Sequence, residues 1–236
     1  MNNENRIIVA LDISDICKLR AIVANIKYDV IYKIGMQFFY SLGMEGVNEL
    51  KRIKPDIKIF LDLKLHDIPN TVSKAIEPLI ININPYMMTL HVSGGYNMLK
   101  AAVKATHEIC KKKKLNKPIL LGVTILTSLK KADLVILDSK KDIKQAVMKL
   151  SILAKKSGLD GIVCSPKEIK SVRESFYNSK IVTPGIRFNK DNKEDQERVM
   201  SPKEAINAGS DYIVIGRPLL NAKNPNIFIK KILNAF

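Results

Sequence analysis

The chain has 236 residues, of which 46% are hydrophobic, and this is enough apolar material for one large core, so we expect a single domain spanning residues 1–236. The net charge of +16 suggests a nucleic-acid partner. The basic residues are scattered, however, apart from a block at 111–114, and no aromatic stacking motif lies among them. This distribution favours solvated helix faces over nucleic-acid binding. The three cysteines are widely separated, which argues against a disulfide framework. The sequence has a polar N-terminus and lacks a membrane-spanning apolar run, which argues against a membrane contact. Together these features predict a cytoplasmic protein.

Short apolar segments alternate with longer amphipathic segments along the chain. The predicted strands cover residues 7–12, 30–35, 57–65, 87–92, 119–126, 161–165, 181–187 and 212–217. About eight strands, each followed by a helical pattern or a turn, are typical of an α/β protein with the TIM (β/α)8 barrel fold, and a doubly wound sheet is the main alternative. Polar residues end many of these strands. Because strand ends meet at one mouth in a barrel but spread apart in an open sheet, this pattern favours the barrel.

The first two strands each carry a charged residue near their ends. Asp12 closes the first strand, and taken alone it is predicted to be the N-cap of the helix that begins near Ser14 and Asp15. Lys33 lies between apolar residues of the second strand, where an ammonium group needs a carboxylate or a bound anion nearby. We therefore expect a charged partner for Lys33.

The third strand ends in a dense group of charges. Alternation along a strand places Asp62 and Lys64 on one face and Leu61, Leu63 and Leu65 on the other. An Asp-x-Lys pair alone is more often a surface ion pair. Opposite charges on the inward face of an apolar strand, however, cost desolvation energy that a structural role seldom justifies.

The residues that follow this strand favour a functional site. Asp67 adds a second carboxylate, and Pro69 opens the next helix at a position where its missing N–H is harmless. His66 lies between the charged residues, and we predict a structural role for it.

Polar residues also follow the fifth strand. Thr127 and Ser128 at this point are equally typical of a helix cap and of a binding site.

The loops after the seventh and eighth predicted strands have the character of a phosphate site. They contain Thr-Pro-Gly-Ile-Arg, which ends at Arg187, and Gly-Arg-Pro, which begins at Gly216. TIM barrels most often bind phosphate through these two loops, by backbone N–H groups and a helix N-terminus. Gly216 lets the backbone approach oxyanions, and Arg217 adds charge-assisted donors. The polar stretch 189–197 between the loops is typical of a solvated loop, and a lid has the same sequence character.

The run Asp-x-Lys-x-x-Asp-Ile-Pro-Asn-Thr, which begins at Asp62, resembles the signature of the orotidine 5'-phosphate decarboxylase family, in its monofunctional bacterial form. Further similar segments are Val-Ala-Leu-Asp, Tyr-Lys-Ile-Gly, Leu-Thr-Ser, Gly-Leu-Asp-Gly-Ile-Val-Cys-Ser, Thr-Pro-Gly-Ile-Arg and Gly-Arg-Pro, and they extend from the first strand to the last. The resemblance implies conversion of orotidine 5'-phosphate to UMP and carbon dioxide, the last step of UMP biosynthesis, with no cofactor and no metal.

The resemblance also implies roles for particular residues. Four form an alternating catalytic array in which Lys64 is the proton donor to C6: Lys33, Asp62, Lys64 and Asp67. The implied substrate-binding residues are Asp12, Lys33, Asp62, Thr71, Thr127, Ser128, Arg187, Gln196, Gly216 and Arg217. Within this set Ser128 would lie against the pyrimidine edge, and Gln196 would close over the phosphate and the pyrimidine. The family further implies a homodimer in which Asp67 and Thr71 reach into the neighbouring subunit's site.

Two other functions compete with this one. Magnesium-dependent sugar-phosphate decarboxylases and synthases of the same superfamily share the Asp-x-Lys-x-x-Asp spacing. Their metal site uses a glutamate where this chain has Lys33. This difference argues against magnesium, because a metal cation is not placed beside an ammonium group. A non-catalytic phosphate-binding or RNA-binding barrel would account for Arg187, Arg217 and the positive charge. It would not account for a buried array of acids and lysines.

Overall fold

Eight parallel strands form a closed barrel in the computed structural model, which describes residues 3–129, 142–188 and 199–236. The strands are β1 Ile7–Ala10, β2 Ile31–Gly35, β3 Lys58–Leu65, β4 Met87–His91, β5 Ile119–Val123, β6 Gly161–Val163, β7 Lys180–Thr183 and β8 Tyr212–Ile215. Each strand pairs with the next one in sequence, and β8 closes the barrel against β1, where Ile8 lies opposite both Ile31 and Val214. The predicted TIM barrel is confirmed, since a doubly wound sheet has two open edges.

Helices surround the barrel and return the chain from the end of one strand to the start of the next. Those in the described residues are α1 Ile16–Asn25, α2 Met36–Ile53, α3 Pro69–Ile83, α4 Gly95–Lys113, α5 Ile143–Ser157, α6 Ile169–Ser175, α7 Pro202–Asn207, α8 Arg217–Leu220 and α9 Pro225–Leu233. Single 3-10 turns cover Asn3–Arg6, Val92–Gly94 and Pro166–Glu168. In this described part of the chain, no helix has both the length and the apolar character needed to cross a bilayer.

The helix starts confirm one local prediction and overturn another. Pro69 occupies the first turn of α3, as predicted. Asp12, however, is not the N-cap of α1. That position belongs to Asp15, whose side chain accepts a hydrogen bond of 2.6 Å from the backbone N–H of Lys18. Asp15 lies three residues before this N–H, the spacing that capping requires, whereas Asp12 is left at the mouth of the barrel.

The apolar residues divide into an inner and an outer core. The barrel interior is filled by Ile8, Ala10, Ile31, Phe60, Met87, Leu121, Val182, Tyr212 and Val214. Between barrel and helices lies the larger cluster, to which Ile7 and Val9 of β1 belong. Strand alternation explains the division, because neighbouring residues of each strand point to opposite sides of the barrel wall.

Six strands end earlier than predicted, which places polar residues on loops at the mouth. β1 ends at Ala10, β4 at His91, β5 at Val123, β6 at Val163, β7 at Thr183 and β8 at Ile215. After β7 the chain enters Pro184 and Gly185, and Gly185 has φ +80°, so the ladder cannot continue there. Catalytic residues of TIM barrels lie on such loops.

Candidate active site

A cavity of about 450 Å³ opens at the carboxyl ends of the strands, a volume suited to a small-molecule ligand. Its lining comes from the ends of β1, β2, β3, β5, β6, β7 and β8: Ala10, Asp12, Lys33, Met36, Phe60, Asp62, Lys64, Val123, Ile125, Leu126, Thr127, Ser128, Val163, Cys164, Pro184, Gly185, Arg187, Val214, Gly216 and Arg217. The structure therefore brings together nine of the predicted site residues. They are Asp12, Lys33, Asp62, Lys64, Thr127, Ser128, Arg187, Gly216 and Arg217.

One side of the cavity carries alternating acids and lysines. Lys33 Nζ lies 3.3 Å from Asp12 Oδ1 and 3.6 Å from Asp62 Oδ2. Lys64 Nζ donates to both oxygens of Asp62, at 3.1 and 3.0 Å. The Asp62 side chain is only 12% exposed and that of Lys64 28%. Gly35 leaves room for this packing, because a Cβ at that position would lie 3.1 Å from Lys33 Nζ.

The carboxylate of Asp62 is held in its ionised form. Burial acts to raise its pKa, but the positive charges of Lys33 and Lys64 and the hydrogen bonds from Lys64 and Thr89 outweigh burial. The net effect lowers the pKa of Asp62 below its usual value. The array thus presents a fixed negative charge between two ammonium groups.

The end of β3 departs from regular strand geometry at Lys64. Its φ is +51°, in the left-handed region that a non-glycine residue seldom adopts. The pairing with β4 shifts register here, since Leu61 pairs with Met88 and Leu65 with Leu90. The predicted faces are nevertheless seen, because Asp62 and Lys64 line the cavity. The leucines at 61, 63 and 65 pack in the outer core.

The cavity lining also carries two guanidinium groups. Arg187 follows β7 and is almost fully buried, with its Nη1 donating to the carbonyl of Ile186 at 2.9 Å. Arg217 follows β8 directly after Gly216. Gly216 lies against the end of β1, since a Cβ at this position would be 3.5 Å from Ala10 Cβ and 3.7 Å from Asp12 Oδ2. Two arginines facing one cavity form a favourable environment for an anionic group.

The rest of the lining is apolar or weakly polar. The floor of the cavity includes Phe60, Val163 and Val214, and the rim includes Thr127 and Ser128 after β5. A ligand that carries anionic groups on a less polar body matches this lining.

Three predicted site residues are not in this lining. Asp67 and Thr71 are exposed, and the Asp67 side chain accepts a hydrogen bond of 2.6 Å from the N–H of Ile68. Neither Asp67 nor Thr71 is among the described residues that line the cavity. Gln196 lies outside the described residues.

Sequence reasoning missed two features beside the array. Thr89 of β4 is buried and bonds to Asp62 and to the backbone of Lys64. His66 and His91 stack with ring centroids 5.1 Å apart, and Ser93 Oγ lies 2.6 Å from His91 Nδ1. A threonine within a strand carries no special signal, because β-branched residues are favoured there for packing alone.

The fold and the cavity together define a class of protein. A closed (β/α)8 barrel with reactive groups at the carboxyl ends of its early strands, and anion-binding groups after its last two, is typical of enzymes that act on phosphorylated small molecules.

Comparison with known proteins identifies the family. The family model described as "Orotidine 5'-phosphate decarboxylase / HUMPS family" matches residues 5–232, and the chain belongs to this family, as predicted. The orotidine 5'-phosphate decarboxylase of Wigglesworthia glossinidia brevipalpis is 47% identical over 230 residues, which are 97% of this chain and 96% of that protein. That of Carboxydothermus hydrogenoformans is 42% identical over 231 residues, 97% and 94% of the two chains. The crystal structure of orotidine 5'-phosphate decarboxylase from Lactobacillus acidophilus is 34% identical, covers 98% of this chain and 99% of that one, and superposes with a TM-score of 0.83.

Proposed function

We propose that this chain is a carboxy-lyase that converts orotidine 5'-phosphate to UMP and carbon dioxide. The observation that carries the proposal is the arrangement of the cavity, whose lining combines the Lys33–Asp62–Lys64 array, the guanidinium groups of Arg187 and Arg217, and an apolar floor. Orotidine 5'-phosphate has a phosphate at one end and a pyrimidine carboxylate at the other, and it fits this distribution of charge.

Lys64 is the proposed proton donor. When the bond between C6 and the carboxylate breaks, its electron pair stays on C6, and the product forms when C6 takes a proton. The Lys64 ammonium, held at 3.0 Å from Asp62, would stabilise the developing charge, donate that proton and later regain one from water. Asp62 would lie against the leaving carboxylate, and with Lys33 it would fix the position and charge of Lys64.

The phosphate end supplies binding energy remote from the reacting carbon. Arg187, Gly216 and Arg217 are the proposed phosphate ligands, with Thr127 and Ser128 near the pyrimidine, and Gln196 is proposed to close over both. Energy from these contacts would order the charged array around C6, which is how remote binding raises the rate of the chemical step.

The position of Lys33 argues against the magnesium-dependent alternative. Its ammonium lies within 3.6 Å of Asp12 and Asp62, the two carboxylates that a divalent cation would need at this side of the cavity. A non-catalytic barrel would keep the arginines but has no use for a desolvated array of acids and lysines.

We further propose a homodimer with shared active sites. Asp67 and Thr71 are exposed, and Ile68, which directly follows Asp67, is 65% exposed. A second copy of the chain on this surface would cover the Ile68 side chain. A second copy seated there would place Asp67 beside the partner's array, which would extend the acid–base alternation by one more carboxylate.

The proposed partners are the nucleotide and a second copy of the chain, without nucleic acid or membrane, in the cytoplasm. The location is supported by the cysteines at 17, 110 and 164, which are free thiols as expected in a reducing compartment.

Ultraviolet absorbance of orotidine 5'-phosphate tests the proposed activity. The purified chain should consume the substrate at the same rate with and without EDTA, and mass spectrometry should show UMP in equal amount. Turnover that EDTA abolishes would favour the magnesium-dependent alternative. Binding of the nucleotide without turnover would favour the non-catalytic barrel.

A further inference from the structure

One buried hydroxyl links two parts of the charged array. Thr89, on β4, is 1% exposed. Its Oγ1 accepts a hydrogen bond from the backbone N–H of Lys64 at 2.9 Å and donates one to Asp62 Oδ1 at 3.0 Å. A single hydroxyl therefore joins the main chain of one member of the array to the side chain of another.

Lys64 needs such a contact because its backbone is unusual. At φ +51° a lysine is in a sparsely populated conformation, which persists only where surrounding contacts enforce it. The ladder between β3 and β4 passes directly from the Leu61–Met88 pair to the Leu65–Leu90 pair. The N–H of Lys64 thus lies in the interrupted segment, and the Thr89 hydroxyl takes the place of a strand carbonyl as its acceptor.

We propose that Thr89 is a positioning residue for the decarboxylation, holding Lys64 in its left-handed conformation and orienting Asp62 so that both groups point at the same part of the cavity. The inference rests on the proposed function and adds to it a residue that does not line the cavity. Without the hydroxyl, the Lys64 backbone can relax and Asp62 can turn, so Nζ would move relative to C6.

Three variants test this role. Thr89→Val keeps the shape and removes the hydroxyl, and Thr89→Ser restores it. Thr106→Val is the matched control, since Thr106 is equally buried but donates only to the carbonyl of Ala102 within α4. We expect Thr89→Val to lower kcat by about a hundredfold, the loss typical of a misplacement of about 1 Å. Thr89→Ser should recover most of the activity, and Thr106→Val should keep all of it. UMP affinity should change little in any of them.

The pH dependence of kcat separates positioning from a loss of structure. The groups that face Asp62 are Lys33, Lys64 and Thr89. Removing the Thr89 donor raises the pKa of Asp62, because a hydrogen bond to the ionised form is lost. Since the array needs Asp62 ionised, the acid limb of the profile should move to higher pH in Thr89→Val and stay in place in Thr106→Val.

Several outcomes would overturn the inference. Wild-type kcat in Thr89→Val with an unmoved acid limb would show that the hydroxyl has no positioning role. A loss that Thr89→Ser does not recover would show that the site depends on the shape of threonine instead. If Thr89→Val does not fold, Thr89→Ala replaces it and its acid limb decides. A wild-type chain that does not consume orotidine 5'-phosphate would overturn the proposed function itself, which the other outcomes leave standing.

Discussion

The proposed sharing of active sites predicts that two inactive variants restore each other. Lys64 lines the cavity of its own chain, whereas Asp67 is exposed and is not among the described residues that line that cavity. If Asp67 serves the partner's site, a heterodimer of Lys64→Ala and Asp67→Ala has one site with both lesions and one site with neither.

The size of the recovery follows from the two-fold arrangement. Equal amounts of the two variants, paired at random, give about half heterodimers, and each heterodimer has one intact site of two. About a quarter of all sites should therefore reach wild-type activity. The assay is consumption of orotidine 5'-phosphate after subunit exchange, with exchange confirmed by a mass tag on one variant.

A second mixture provides the control. Lys33 and Lys64 contact the same carboxylate of Asp62, so Lys33→Ala and Lys64→Ala affect the same site of the same chain. Every site in their heterodimers keeps one lesion, and no recovery is expected. The shared-site proposal is wrong if the first mixture, once exchanged, stays at the activity of the separate variants.

Three further predictions concern single residues. Lys64→Ala should lower kcat by about a thousandfold or more, while UMP binding measured by calorimetry changes little. The control is Lys58→Ala, at the opposite end of β3 and paired with Asp29, which should stay active. A loss of UMP binding in proportion to the loss of activity would contradict the proton-donor role of Lys64. Arg217→Ala should cost roughly 3 kcal/mol in kcat/KM for orotidine 5'-phosphate and almost nothing for orotidine, which lacks the phosphate, so equal losses would exclude a phosphate contact. Burial and the charges of His66 and Lys64 lower the pKa of His91 in the folded protein. Below a pH of about 6.5 the unfolded chain therefore binds a proton at this histidine more readily than the folded protein does. The free energy of unfolding should fall as the pH drops below that value. In urea titrations, His91→Gln should make the free energy of unfolding less dependent on pH, whereas His107→Gln, an exposed control on α4, should leave the dependence unchanged. The same pH dependence in the wild type and both variants would show that His91 is not the group responsible.

The barrel and most of the cavity residues were predictable because they depend on local pattern. Apolar segments recur at regular intervals, and the carboxyl ends of eight parallel strands must meet if the sheet closes. Lys33 illustrates this, since a lysine between apolar neighbours needs a counter-charge, and the closed barrel supplies Asp12 and Asp62 from the strands on either side.

The features that the sequence did not predict depend on contacts between distant parts of the chain. Asp12 and Asp15 are both suitable caps, and only the actual start of α1 decides between them. The left-handed backbone of Lys64 depends on the register of β3 against β4, which hydrophobic alternation does not specify for a strand buried on both faces. Thr89 is 25 residues from Lys64, and no spacing in the sequence connects them.

The pairing of β8 with β1 has a consequence for how the protein is made. Lys33, Asp62 and Lys64 are translated long before Gly216 and Arg217, which directly follow β8. Until Val214 reaches Ile8, a nascent chain carries the charged array on an open sheet with two unpaired edges, which is a form prone to aggregation. Barrel closure and completion of the proposed nucleotide site therefore depend on the same strand, and a nascent chain short of β8 lacks two of the proposed phosphate ligands, Gly216 and Arg217.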